Sequence, residues 1–159
     1  MSKCKVISHR GANKEAPQNT IPAFKKSLEI GCDGFETDIH LTADGHPVIC
    51  HNYTVDETST GNGEIRSKTL DELRTYDFGS YFDEKFKGTQ LPLLDEFLEL
   101  SKDEQVEIMN IEIKPPLDGN MEIVKKTIDA VKEKGLFGKL LISSFSPEVL
   151  VECKKVDPN

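Results

Sequence analysis

Positive charge is scarce in this chain. Its 20 Lys and Arg residues stand against 28 Asp and Glu, a formal net charge of -8 at pH 7 over 159 residues. Proteins that grip nucleic acid neutralise its phosphates with a basic face, so nucleic acid is not an expected partner. An anionic small molecule would need cations placed locally against this field. Long apolar runs are absent too: nothing approaches the roughly 18 residues of a membrane-spanning helix. The first apolar segment, residues 4–7, runs directly into His9-Arg10-Gly11, without the core and cleavage site of a secretion leader. The four cysteines, Cys4, Cys32, Cys50 and Cys153, lack C-x-x-C spacing and fall mostly in apolar segments. Small buried thiols are therefore expected rather than a disulfide framework or a zinc site. Together these features point to the cytoplasm. Internal repeats, low-complexity tracts and linkers are also missing, and 36% hydrophobic against 30% charged residues suits one globular domain over 1–159.

What is present is an alternation. Strand-like runs at 5–8, 35–42, 47–51, 106–114 and 140–145 are interleaved with helical patterns at 20–30, 95–101 and 121–134. Asn19 or Thr20 can cap the first helix, Pro22 suits its first turn and Gly31 ends it. Ser146-Pro147-Glu148 opens a last helix. Ala43-Asp44-Gly45-His46 reads as a hairpin-like turn between the second and third strands, with no room for a crossover helix. Residues 53–90 read as polar and irregular, with a capping box at Thr69-Leu70-Asp71-Glu72. Such alternation implies a mostly parallel sheet. Five strands are too few to close an eight-stranded barrel of about 250 residues. An open doubly wound sheet is the alternative, although its Gly-rich dinucleotide turn is missing.

Chemistry concentrates on two strands. In Glu36-Thr37-Asp38 the two carboxylates share a face, because side chains alternate along a strand. A lone E-x-D is usually a solvated stripe. Here Phe35 and Ile39 lie on the opposite face, and a parallel strand is normally buried on both sides. A buried acidic pair needs a cation or a proton between its members. The strand Asn110-Ile111-Glu112-Ile113-Lys114 repeats the pattern, so Glu112 becomes a third oxygen ligand in a set that favours Mg²⁺ or Ca²⁺ over zinc. The plainer reading of Glu112 is a structural salt bridge. His9 and His51 each fall at the C-terminal end of an expected strand, where barrel active sites lie, and two imidazoles can serve as acid and base in one turnover. Arg10 and Lys114 supply the local cations that a phosphate would need. His46 reads as a turn residue, and His40, in phase with Asp38, as a minor candidate.

The ordered set His9-Arg10-Gly11, Gln18-Asn19-Thr20, Glu36-Thr37-Asp38, His51-Asn52, Glu112-Ile113-Lys114 and Ser143-Ser144-Phe145 resembles the motifs of glycerophosphodiester phosphodiesterases. The resemblance runs over the whole chain. It implies an α/β fold, an incomplete TIM (β/α)8 barrel with about five of the eight strands, and makes 53–90 the family insertion after the third strand. It further implies metal-dependent hydrolysis of a small glycerophosphodiester to sn-glycerol 3-phosphate and an alcohol. His9 and His51 would be the acid and base, Glu36, Asp38 and Glu112 the ligands of Ca²⁺ or Mg²⁺, and Arg10 and Lys114 the phosphate-binding groups. A related phospholipase of the sphingomyelinase D type is the second reading, against which Glu112-Ile113-Lys114 counts. A catalytically inactive barrel acting as an interaction protein is the third. The family usually has His-Asp at His51-Asn52 and Glu-Asn-Thr at Gln18-Asn19-Thr20; both changes are isosteric and remove a charge. Its members also continue through three more strands. The resemblance therefore implies a missing C-terminal part or an oligomer, and a sheet edge with apolar surface left exposed.

Overall fold

The computed structural model describes residues 4–158. The elements follow the order β1 (Ile7–His9), α1 (Ile21–Glu29), β2 (Gly34–Leu41), β3 (Pro47–Ile49), α2 (Leu70–Leu73), α3 (Leu94–Leu100), β4 (Ile108–Ile113), α4 (Glu122–Glu133), β5 (Leu140–Ser143) and α5 (Pro147–Val156). Local chemistry starts the helices where the sequence places them. The Thr20 hydroxyl accepts from the Ala23 amide ahead of α1, Thr69 and Glu72 close a reciprocal capping box on α2, and Ser146 caps α5 with Pro147 at its first position. Gly31, at φ +82°, then takes the left-handed conformation that lets the chain leave α1. Among the described residues no helix is long and apolar enough to cross a membrane.

The sheet runs β1-β2-β4-β5, all parallel, with β3 antiparallel to the far end of β2. The expected hairpin is thus present, pairing Ile39 with Ile49 and Leu41 with Pro47. β2 is the central strand, and seven of its eight residues are buried, as a strand covered on both faces must be. Phe35 and Ile39 from β2 and Met109, Ile111 and Ile113 from β4 meet the apolar stripes of α1, α3 and α4. At the centre of that layer the rings of Phe24, Phe35 and Phe97 lie 5.0–5.9 Å apart in tilted and edge-on pairs. The opposite face of the same strands carries the acids.

Gly34 shows how closely β2 and β4 approach. A Cβ there would lie 2.1 Å from the carbonyl oxygen of Ile108, its partner in the ladder. Gly34→Ala is expected to destabilise the fold by about 2–3 kcal/mol, read as a lower urea midpoint; an unchanged midpoint would mean the strands can part there.

Residues 53–90 are more ordered than their polarity suggests. Val55, Ile65, Leu73 and Phe78 join Val48, Cys50 and Leu91 in a satellite core. These apolar residues are too sparse for a periodic signal, yet each is buried. β5 ends at Ser143 rather than 145, because the Ser144 hydroxyl turns back to the Ile113 carbonyl and accepts from the Ser146 amide. The sheet is not closed. At its β5 side Leu141, Phe145 and Val151 are exposed, the bare edge expected of five strands. Cys32, Cys50 and Cys153 are buried free thiols, and Cys4 is exposed.

Candidate active site

Two rungs of the sheet assemble the site. Register places His9 opposite Glu36 and Glu36 opposite Asn110, while Asp38 lies opposite Glu112 and Glu112 opposite Ser143. Partners in a rung project to the same face, so β1, β2 and β4 deliver their polar side chains together. One oxygen each from Glu36, Asp38 and Glu112 lies within 4.8 Å of the other two. Glu36 and Asp38 are buried.

Three groups answer this negative charge. Lys114 Nζ pairs with Glu112 and sits 2.8 Å from Asp38 Oδ1. That contact is a buried ion pair rather than an aligned hydrogen bond. Arg10 Nε lies 3.5 Å from Asp38 Oδ2 and likewise makes no hydrogen bond. Among the described residues the Glu36 carboxylate receives the Arg10 amide, at 2.8 Å, and the distant His9 Nε2, at 3.9 Å. Burial, then the charge of Asp38, raises the Glu36 pKa to about 7, against the smaller effect of the amide bond. An all-oxygen donor set whose three carboxylates lie this close together fits a hard divalent cation of the Mg²⁺ or Ca²⁺ kind.

The expected phosphate-binding pair behaves unequally. Arg10 is held at φ 58°, a left-handed conformation that a side chain rarely adopts. Its amide donates to both the backbone and the side chain of Glu36, its carbonyl accepts from Asn19, and its Nη1 donates to Gln18 Oε1 at 2.9 Å. Glutamine thus keeps the acceptor that position 18 requires without a charge. Lys114, by contrast, is engaged by two of the acids.

His9 ends β1 with its ring largely exposed. Loss of solvent on its inner side, then the Arg10 charge, holds its pKa below the ordinary value. His51 reaches the site by a different route from the one its sequence position suggests. β3 is antiparallel, so its C-terminal end does not lie at the rim where parallel strands end. The hairpin extends beyond that rim and folds back, and the Cys50 amide bonds the Asp38 carbonyl at 3.0 Å, which holds the backbone just before His51 against β2. His51 Nδ1 then meets Asn52 Oδ1 at 2.7 Å. His40 is buried, its Nε2 is 3.3 Å from the His51 carbonyl, and its ring packs edge-on against Tyr53. Burial pushes its pKa down to about 4, so it is a neutral support for the loop. His46 donates its amide to Thr42 Oγ1 as a turn residue.

Two supporting residues escape a reading of strands and helices. Asn19, buried and at φ 56°, donates to Asp38 Oδ2 at 2.8 Å and accepts from Thr37 Oγ1 at 3.0 Å. An asparagine just before a capped helix is the one available signal, since asparagine tolerates the left-handed region. The Tyr53 hydroxyl donates to the Pro115 carbonyl at 2.9 Å, tying the His51 loop to the end of β4.

Residues 9–159 match the glycerophosphoryl diester phosphodiesterase family. A glycerophosphodiester phosphodiesterase of Caldanaerobacter subterraneus is 43% identical over 157 residues, covering 99% of this chain and 64% of the relative. A crystal structure of an Agrobacterium tumefaciens glycerophosphodiester phosphodiesterase superposes with a TM-score of 0.89 at 33% identity, over 98% of this chain and 64% of that one. An Oleispira antarctica phosphodiesterase, solved in complex with the product sn-glycerol-3-phosphate, gives 0.91 at 30% identity, over 98% and 63%. The chain thus spans just under two thirds of the length of these relatives. Its unclosed five-stranded sheet corresponds to an incomplete α/β barrel of the TIM type. By the extent of that match, the chain belongs to the glycerophosphoryl diester phosphodiesterase family.

Proposed function

We propose that this protein hydrolyses glycerophosphodiesters to sn-glycerol 3-phosphate and an alcohol. The observation that carries the reading is the convergence of Glu36, Asp38 and Glu112, with His9 and Arg10 at the adjoining strand end. Glu36, Asp38 and Glu112 would hold a divalent cation, Ca²⁺ or Mg²⁺, which when bound supplies Lewis-acid polarisation of phosphate oxygens. Arg10 binds the phosphate through its guanidinium, which lies beside the acids and has no aligned acceptor for its Nε–H among the described residues. Lys114 adds a point charge to the same face and holds Asp38 and Glu112 together. His51, whose Nδ1 faces an acceptor, presents its Nε2 lone pair and takes a proton from the nucleophile as the bond from phosphorus to the departing alcohol breaks. His9, at the solvent rim, donates a proton to the departing alcohol.

Release of sn-glycerol 3-phosphate from glycerophosphocholine, with and without chelator, tests the proposal against its rivals. Turnover that chelation removes supports it. Cleavage of sphingomyelin alone would replace it with the phospholipase reading, and no turnover with any divalent ion would leave a binding protein.

The position of Asn19 carries a separate expectation. Loss of an outer hydrogen bond to a metal ligand typically weakens metal affinity about 10–100-fold, so Asn19→Ala should raise the Mg²⁺ or Ca²⁺ concentration for half-maximal thermal stabilisation by about tenfold. An unchanged titration would show that Asp38 does not depend on this amide.

A further inference from the structure

We propose that Asn52 and Glu57 are positioning residues that act as one unit on His51, with the Glu57 carboxylate turning the Asn52 amide so that the imidazole keeps its hydrogen on Nδ1. The inference rests on the reading of His51 as general base. It begins with two contacts: His51 Nδ1 to Asn52 Oδ1 at 2.7 Å, and Asn52 Nδ2 to Glu57 Oε2 at 2.9 Å.

The chemistry of these atoms leaves one arrangement. An ionised carboxylate only accepts hydrogen bonds, so Glu57 must face the amide nitrogen. The amide oxygen is then turned toward His51, and because that oxygen only accepts, Nδ1 must carry the hydrogen. Nε2 is left with its lone pair, the state a base needs. Remove the carboxylate and the order is lost. An amide presents an acceptor on one side and a donor on the other, and either satisfies a neutral imidazole. In the flipped orientation the NH₂ group faces Nδ1, the ring hydrogen moves to Nε2, and the base is blocked. An aspartate at 52 would need no such help, since both of its oxygens accept. Glu57 thus restores, one residue further out, the acceptor-only character that asparagine lacks.

Placement supports this role. Glu57 forms no ion pair among the described residues, and its one side-chain hydrogen bond there is to Asn52. The segment that carries it is fixed by backbone bonds from Val55 to Gly63 and from Ile65 to Tyr53, and by the Tyr53 hydroxyl on Pro115. Glu57 is also exposed, so water competes for its carboxylate and the bias on the amide is moderate.

A charge reversal gives a test with a sign. Lysine at 57 only donates, so Glu57→Lys should draw the amide oxygen outward and turn the NH₂ toward His51. Measurements are kcat and KM on glycerophosphocholine, together with the ¹⁵N–¹H ring spectrum of His51. Glu57→Lys is expected to shift the ring hydrogen toward Nε2 and lower kcat on the order of tenfold, with KM changed less than about twofold. Adding Asn52→Asp to Glu57→Lys should return both the ring spectrum and kcat, because aspartate accepts from either side. A ring spectrum that Glu57→Lys leaves unchanged would overturn the proposal, as would a kcat loss that Asn52→Asp fails to restore. If the ring hydrogen moves as expected while the unsubstituted protein shows no turnover, the unit stands and the general-base reading fails.

Discussion

His51→Ala is expected to lower kcat on glycerophosphocholine by about 10³-fold, within the range that removing a general base gives, with a melting curve close to that of the unsubstituted protein. The ring is half-buried and its one side-chain hydrogen-bond partner among the described residues is Asn52, so its loss removes little packing. No other imidazole can take over. His40 lies two residues from Asp38, but it is buried, faces the His51 carbonyl and is held neutral. KM should change little if Arg10 and Lys114, rather than His51, hold the phosphate. His9→Ala should differ in kind. If His9 protonates the leaving alcohol, a diester whose leaving group is p-nitrophenol needs no acid, and its hydrolysis should survive the substitution far better than that of glycerophosphocholine. Steady-state kinetics on both substrates reads the pair. A His51→Ala enzyme with more than a third of the original kcat would remove the base, and equal losses on both substrates in His9→Ala would remove the acid.

The route by which His51 arrives marks the limit of what the sequence can tell. Alternation along one strand is local, so the shared face of Glu36 and Asp38, and that of Asn110, Glu112 and Lys114, could be read directly. Helix starts were equally legible, because Thr20, Thr69 and Ser146 each bond an amide within three residues. Register is not local. Nothing in either segment says that Asp38 stands opposite Glu112 rather than one rung away; the ladder decides it. For His51 the strand-end argument assumed a parallel strand, whereas the hairpin reverses the direction of β3. The contacts of Asn19 and Glu57 are hidden for a related cause: each reaches a side chain that only the fold brings close. Lys114 shows the opposite limit. Its sequence spacing from Glu112 places both on one face, yet only the structure shows its charge already shared between two carboxylates. Residues 53–90 look irregular in the sequence because Val55, Ile65, Leu73 and Phe78 follow neither helical nor strand spacing, although all four are buried.

Glu36→Gln is expected to change sign with the metal, which makes it the sharpest test of the acidic cluster. In the metal-free protein three carboxylates face one another, and two of them have Lys114. Glu36 has no such partner: it is buried, receives one amide bond from Arg10, and is disfavoured as an anion by its loss of solvent and by Asp38. Its ionised form therefore weakens the folded state at neutral pH. Glutamine removes that charge while its Oε1 can still accept from the Arg10 amide. The melting temperature of chelator-treated Glu36→Gln should consequently rise, by about 2–5 °C, the response of a chain this size to 1–2 kcal/mol. With saturating Mg²⁺ or Ca²⁺ the order should invert. The unsubstituted protein gains stability in proportion to its metal affinity, whereas a neutral amide is a poor replacement for an anionic ligand, so the variant should show little metal-dependent shift and turnover at least about 10²-fold lower. Two melting curves of each protein, with chelator and with metal, are enough to see the crossing. A variant less stable than the original under chelator would mean that Glu36 is structurally favourable as it stands, and a full metal-dependent shift in the variant would take Glu36 out of the ligand set.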